Sequence, residues 1–172
     1  MAGFEQDRAE FIAQWGALGS AWGINRTMAQ IHALLMVAPE PLSTDDVMAE
    51  LKISRGNANT NLRELVHWGL LRVTRQPGDR KEYFEAEKDI WKMFCAIIRE
   101  RKKREIEPAL AALERCQAGA AEAATDAERA FYAQTAALSG FIRNGSKIMD
   151  GVAASPYASV VPTVMKLFSA PR

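Results

Sequence analysis

The spacing of apolar residues changes twice between Ser43 and Ala86, and this constrains the fold more than any other feature of the sequence. Ser43-Thr44-Asp45-Asp46 reads as a helix start, with Ser43 as N-cap and Asp46 at the third position of a variant capping box. Both acids complement the positive end of the helix dipole. Val47 and Leu51 face inward on this short helix, which ends near Lys52. Ser54 then caps a longer helix, Arg55 to Trp68, whose buried stripe is Ala58, Leu62, Leu65 and Val66. Gly56, Asn57, Thr60, Arg63, Glu64 and His67 fall on the opposite face. Gly69 suits the left-handed position that ends helices, and Leu70 supplies the closing apolar contact. From Leu71 the period becomes two. Leu71 to Arg75 alternates as a half-buried strand, Gln76-Pro77-Gly78-Asp79 is a turn, and Lys81 to Ala86 is the return strand.

Short helix, tight turn, longer helix and two-stranded hairpin make a winged helix-turn-helix. The expected fold class is therefore mainly α with a small β-hairpin wing, joined to a helical dimerisation region. Phe4, Phe11, Ile12, Trp15, Leu18 and Trp22 recur at helical spacing, so residues 4–20 read as an amphipathic helix whose end Gly19 and Gly23 loosen. Thr27 can cap the next helix, with Met28, Ile31, Leu34 and Leu35 as its inner stripe, and Pro39 and Pro41 stop it. Met28, Met36 and Met48 read as core filling. Beyond Asp89, the residues Ile90, Trp91, Phe94, Ile97 and Ile98 mark a helix that runs through a basic stretch to Pro108, where a kink or a new helix is expected. Residues 111–130, with nine alanines, read as helix with thin faces. Phe131, Leu138, Phe141 and Ile142 suggest another amphipathic segment, and Tyr157 to Phe168 is expected to pack back on the body. The expected division is an N-terminal packing helix at 1–22, a DNA-binding module at 23–87, and a dimerisation and effector region at 88–172.

Composition removes several classes. At 48% hydrophobic and 25% charged over 172 residues the chain is globular. Charges interrupt every run that could approach the ~20 apolar residues of a membrane span. The opening MAGFEQDRAEF lacks the basic-then-apolar order of a signal peptide, so a cytoplasmic protein with reduced thiols is expected. His32, His67, Cys95 and Cys116 lie too far apart for a zinc pattern. No phosphate loop, dinucleotide fingerprint or nucleophile elbow is present, and Cys95 has no adjacent base. No metal, cofactor or enzymatic activity is expected. A redox role for the cysteines would need pairing between subunits or a low thiol pKa.

Charge is unevenly placed. Residues 51–81 hold seven basic residues (Lys52, Arg55, Arg63, Arg72, Arg75, Arg80 and Lys81) against Glu64 and Asp79, a net of +5 in a chain of net +1. A basic module in a near-neutral chain is a local footprint for a polyanion. Ser54, Arg55, Gly56, Asn57, Asn59, Thr60 and Arg63 supply amide, hydroxyl and guanidinium donors on the longer helix. Asn can read adenine and Arg guanine by bidentate contacts. The helix start suits a phosphate oxygen, and Gly56 lets the backbone come close. Arg72, Arg75, Arg80 and Lys81 belong to the wing, where Arg80 is placed to enter a minor groove. The alternative is a solvated face used for protein contacts, with Arg55 and Arg63 paired to acids. The run Arg99 to Arg104 reads as a helix with i,i+4 pairs to Glu100 and Glu105, with contact to flanking phosphates as the alternative.

The stretches Trp22 to His32, Pro41 to Asp46, Ile53 to Asn59, Arg80 to Phe84 and Glu105 to Pro108 resemble the GbsR-type branch of the MarR superfamily over about residues 5–115. The resemblance implies a homodimeric transcriptional regulator, often a repressor, that binds double-stranded DNA. Some relatives govern choline and glycine betaine genes. It also implies that Arg80 probes the minor groove while Asp79 helps to hold it. Two-fold symmetry would set two reading helices about one DNA turn apart on a palindromic operator. Trp15, Trp22 and Trp91 are candidate walls for a quaternary ammonium effector, with packing or interface as the alternative for each.

Overall fold

In a computed structural model that describes residues 2–155, the chain divides into two compact units, Met1–Met93 and Phe94–Arg172. In the first unit, α1 (Ala2–Ala21) precedes α2 (Arg26–Val37), β1 (Leu42–Ser43), α3 (Thr44–Leu51), α4 (Arg55–His67), β2 (Leu71–Thr74) and β3 (Tyr83–Ala86). The mainly helical fold with a small wing is as expected. The apolar segment Tyr157 to Phe168 lies outside the described residues.

Local rules account for the boundaries. Asn25, not Thr27, caps α2, its side chain accepting from the Met28 N–H at 3.1 Å. Ser43 and Asp46 form the expected reciprocal box, Ser43 N–H donating to Asp46 at 2.8 Å. Ser54 caps α4 by accepting from the Asn57 N–H at 3.3 Å. Gly69, at φ 71°, ends α4, and Leu70 N–H returns to the Leu65 carbonyl at 3.0 Å, the geometry only a residue without Cβ takes easily. At the hairpin tip Pro77 and Gly78 (φ 83°) form a type II turn closed by Asp79 N–H to Gln76 at 3.1 Å.

Phe84, Ile31, Leu34, Leu35, Leu62, Leu65 and Val47 are fully buried and knit α2, α3, α4 and the sheet into one core. Each such side chain contributes about 1.5–3 kcal/mol of transfer free energy. Val66 is only half-buried, and Asn61 is buried in its place, its amide donating to the Asn57 carbonyl at 2.8 Å and to the Asn57 side chain at 2.7 Å. Met28 is buried, whereas Met36 and Met48 are half-buried.

Two expectations for the N-terminal helix are corrected. Of its apolar stripe only Ile12 is buried; Phe11 and Trp15 are half-buried, and Phe4, Leu18 and Trp22 are exposed. Gly19 does not loosen the helix, which continues to Ala21. A Cβ on Gly19 would meet the Ala29 Cβ at 2.5 Å, so the missing side chain is what lets α1 and α2 touch.

The wing is not a two-stranded hairpin. Leu42 and Ser43 pair antiparallel with Phe84 and Tyr83, giving a three-stranded sheet of order β1-β3-β2. The outer pair sets Leu71, Arg72, Val73 and Thr74 against Ala86, Glu85, Phe84 and Tyr83. β2 does not alternate strictly, since Arg72 and Val73 are both exposed.

Helix α5 (Ile90–Arg101) spans the boundary between the units. In the second unit a single π-helical turn, Lys102–Ile106, leads into α6 (Glu107–Cys116), with Glu107 N–H bonded to the Lys102 carbonyl. Pro108 has no N–H and presses on the preceding turn, and one widened turn accommodates it. The pairs foreseen for the basic run are present, Arg104 to Glu100 at 2.7 Å and Arg101 to Glu105 at 3.1 Å. Residues 111–130 do not form one helix. Helix α6 stops at Cys116, a short 3-10 turn follows at Ala120–Glu122, and α7 (Asp126–Ala154) starts afresh. Thr125 and Glu128 form a capping box there, which outcompetes the helix propensity of the alanines. Phe131, Leu138, Phe141 and Ile148 are exposed along α7. Among the described residues no helix is long and apolar enough to cross a membrane.

Candidate nucleic-acid interface

Helix α4 stands as the second helix of the helix-turn-helix, with its apolar stripe on α2 and the sheet. Ser54, Arg55, Gly56, Asn57, Asn59, Thr60 and Arg63 are all exposed, as are the wing residues Arg72, Arg75, Arg80 and Lys81. The residues the sequence reading placed on the donor face are therefore all open to solvent. What that reading left open is how its cations are held.

Four of them are paired with acids. The Asp45 carboxylate, at the start of α3, accepts from the Arg55 guanidinium through Oδ1 and from Lys81 Nζ at 3.1 Å through Oδ2. Those two hydrogen bonds, that of Lys81 first, hold the Asp45 carboxyl below its ordinary pKa. Arg63 pairs with Glu82 on the wing and lies over the Phe84 ring, 5.7 Å from its centroid. Arg72 donates to Glu85, its cross-strand neighbour, at 3.0 Å. All these groups are solvent-exposed or half-exposed, so solvent screens each pair and it contributes little. A phosphate can replace such a carboxylate at small cost.

Arg75 and Arg80 differ, since neither side chain has an ion pair among the described residues. They flank the wing turn. Asp79 holds that turn by accepting from the Lys81 N–H at 2.9 Å and the Tyr83 hydroxyl at 2.7 Å, not through the guanidinium of Arg80. These bonds lower the pKa of Asp79 and raise that of Tyr83. Asp45, Glu82 and Glu85 are the residues that sequence reasoning missed. Only the Arg72–Glu85 pair had a signal, in the strand register.

The tryptophans do not share a wall of either described cavity. One cavity, of about 200 Å³, is lined by Ser43, Thr44, Asp45, Arg55, Lys81 and Glu82; the other, of about 190 Å³, lies between Gly69–Arg72 and Glu85–Lys88. Trp15 stacks obliquely on Phe11 at 5.8 Å and on His32 at 6.2 Å. Trp22 is exposed and Trp91 half-buried. Among the described residues no cluster of His, Cys, Asp or Glu could hold a metal ion.

The fold and face together define a winged helix-turn-helix module. Residues 22–82 match the family model described as MarR family. The GbsR-type resemblance holds as well: the chain is 27% identical over 117 residues to the HTH-type transcriptional repressor GbsR of Bacillus subtilis (strain 168), covering 68% of this chain and 64% of the relative. It is also 31% identical over 83 residues to the HTH-type transcriptional regulator MmpR5 of Mycobacterium tuberculosis, covering 48% of this chain and 50% of the relative. The chain thus spans between half and two thirds of the length of these relatives. A solved transcriptional regulator shares the fold, with a TM-score of 0.56 and 19% identity over 84% of this chain and 99% of that one.

Proposed function

We propose that the protein is a DNA-binding transcriptional regulator, acting as a repressor and binding a palindromic operator as a homodimer in the cytoplasm. The observation that carries this reading is the exposed donor face of α4 beside a wing whose Arg75 and Arg80 have no ion pair among the described residues. Asn57, Asn59, Thr60 and Arg63 are the base-reading candidates. Ser54, Arg55, Gly56 and the wing cations serve phosphates and the minor groove. The relatives are named as transcriptional regulators, which supports a binding protein rather than an enzyme. Control of choline or glycine betaine genes follows from the GbsR resemblance alone, and quaternary ammonium compounds are the first effectors to screen.

Fluorescence anisotropy on the upstream DNA of its own gene and on scrambled DNA, across a salt series, tests the reading. Tight binding to the first, with log affinity falling linearly in log salt, is expected. No binding to either DNA at low salt overturns it. A second reading, a winged helix used for protein contacts, is favoured by the internal pairing of Arg55, Arg63, Arg72 and Lys81. Failure to be retained on heparin at low salt would promote it.

A further inference from the structure

Asp45 and Asp46 are adjacent acids at the start of α3, but only one of them serves the helix. Asp46 forms both arms of the capping box with Ser43, at 2.8 and 3.3 Å. The Asp45 carboxylate takes no part in that box. Its two oxygens are divided between the first residue of α4 and the wing segment just before β3, Oδ1 on Arg55 and Oδ2 on Lys81. These two cations come from elements far apart in sequence and close on one carboxylate beside an open cavity of about 200 Å³ whose wall they share.

An anionic group held by an arginine and a lysine, at the mouth of a helix N-terminus and next to a wing, occupies the place a DNA backbone phosphate would take. A carboxylate and a phosphodiester present the same chemistry there: two oxygens, one negative charge, and acceptance from a guanidinium and an ammonium. The pairs are exposed, so exchange is cheap, and the Asp45 side chain is tethered, so it competes without diffusing.

We propose that Asp45 is an internal stand-in for a DNA backbone phosphate, occupying the Arg55–Lys81 clamp in the free protein and displaced from it when DNA binds. This rests on the DNA-binding reading above. It makes Asp45 a residue that limits affinity for DNA of any sequence. While Asp45 holds the clamp, these two cations attract DNA weakly, and each contact they make must first be taken from Asp45.

The test compares Asp45→Asn with Glu40→Gln, an exposed position in the same unit that removes equal charge and touches neither cation. Binding is measured on operator and scrambled DNA over a salt series, with thermal melts to confirm folding. Asp45→Asn is expected to raise affinity for both DNAs on the order of fivefold, the scale of two exposed pairs. The slope of log affinity against log salt should steepen by up to about 0.9 for each freed phosphate contact. Glu40→Gln should change affinity less than about twofold, since a screened distant charge adds little. In the Arg55→Gln, Lys81→Gln background the gain from Asp45→Asn should vanish, because the competed clamp is gone.

Equal gains from Asp45→Asn and Glu40→Gln, or a gain that survives loss of both cations, would overturn the proposal while leaving the DNA-binding reading standing. Loss of affinity in a variant that melts like the wild type would also overturn it. Absence of DNA binding by the wild-type protein itself would instead sink the underlying reading.

Discussion

The ammonium of Lys88 lies 2.7 Å from the carbonyl oxygen of Ala38, the residue that caps the C-terminal end of α2. The same Nζ donates to the carbonyls of Leu35 at 3.0 Å and Met36 at 2.9 Å. A helix C-terminus leaves carbonyls without N–H partners and carries partial negative charge, so one cation with three donors satisfies it well. The contact ties the chain leaving the sheet to the central helix of the core, 50 residues back.

Lys88→Met keeps the aliphatic stem and removes the donors. The native state should lose about 1–2 kcal/mol, the scale of hydrogen bonds from a charged donor to half-exposed carbonyls. Urea unfolding is the check: the midpoint should fall with the slope unchanged. An unmoved midpoint would show that water replaces the ammonium at no cost.

His32 sits in the core beside Trp15, and its Nε2 has no hydrogen-bond partner among the described residues. Burial lowers its pKa from 6.5 to about 4. The unfolded chain thus binds a proton that the native state refuses, so stability is full above about pH 6.5 and declines as pH falls towards 4. The loss attributable to this residue approaches 3 kcal/mol at the acid end, at about 1.4 kcal/mol per unit. Urea midpoints across that window should fall more steeply for the wild type than for His32→Leu. Parallel curves would remove His32 as the cause.

Arg63→Ala removes the guanidinium that spans Glu82 and the Phe84 ring. If Arg63 leaves Glu82 to read a base, operator affinity should drop by about 1–3 kcal/mol while scrambled DNA is affected less. Equal loss on both would reassign it to a phosphate. Arg80→Ala, at a wing cation with no ion pair among the described residues, should weaken binding to both DNAs and flatten the salt slope by about 0.9.

Gly19→Ala tests the helix contact. Its new Cβ would stand 2.5 Å from the Ala29 Cβ, so α1 must shift, at a cost of about 1–3 kcal/mol that outweighs the gain in helix propensity. Gly3→Ala, in the same helix with nothing within 4 Å of its Cβ, should leave the melting temperature unchanged or slightly raised. Identical melting of the two variants would refute the close packing.

The parts legible in the sequence were those decided within a few residues. Ser43 with Asp46, Ser54 with Asn57, Gly69 with Leu65, and Pro77-Gly78 all act over one turn of chain, and each was found where its chemistry placed it. Asn25 and Thr27 can both cap, and the choice between them depends on where α1 releases the chain, which local sequence does not state. Strand β1 is not legible locally, because two residues carry no periodicity and their partners, Phe84 and Tyr83, lie some forty positions on. The exposed donors of α4 could be assigned to a face by helical geometry. Their acidic partners could not, since Asp45 and Lys81 are 36 positions apart in sequence and only the tertiary fold joins them.

Because the sheet order is β1-β3-β2, strand β2 is an outer edge among the described residues, with Val73 partly exposed. Such an edge offers itself to the same strand of another molecule. Arg72 within it and Arg75 just beyond it place like charges where two copies would meet and keep them apart. Charge beside an open edge is in general a physical bar to strand pairing between copies. Neutralising both should make the protein precipitate at concentrations the wild type tolerates, with or without nucleic acid in the tube.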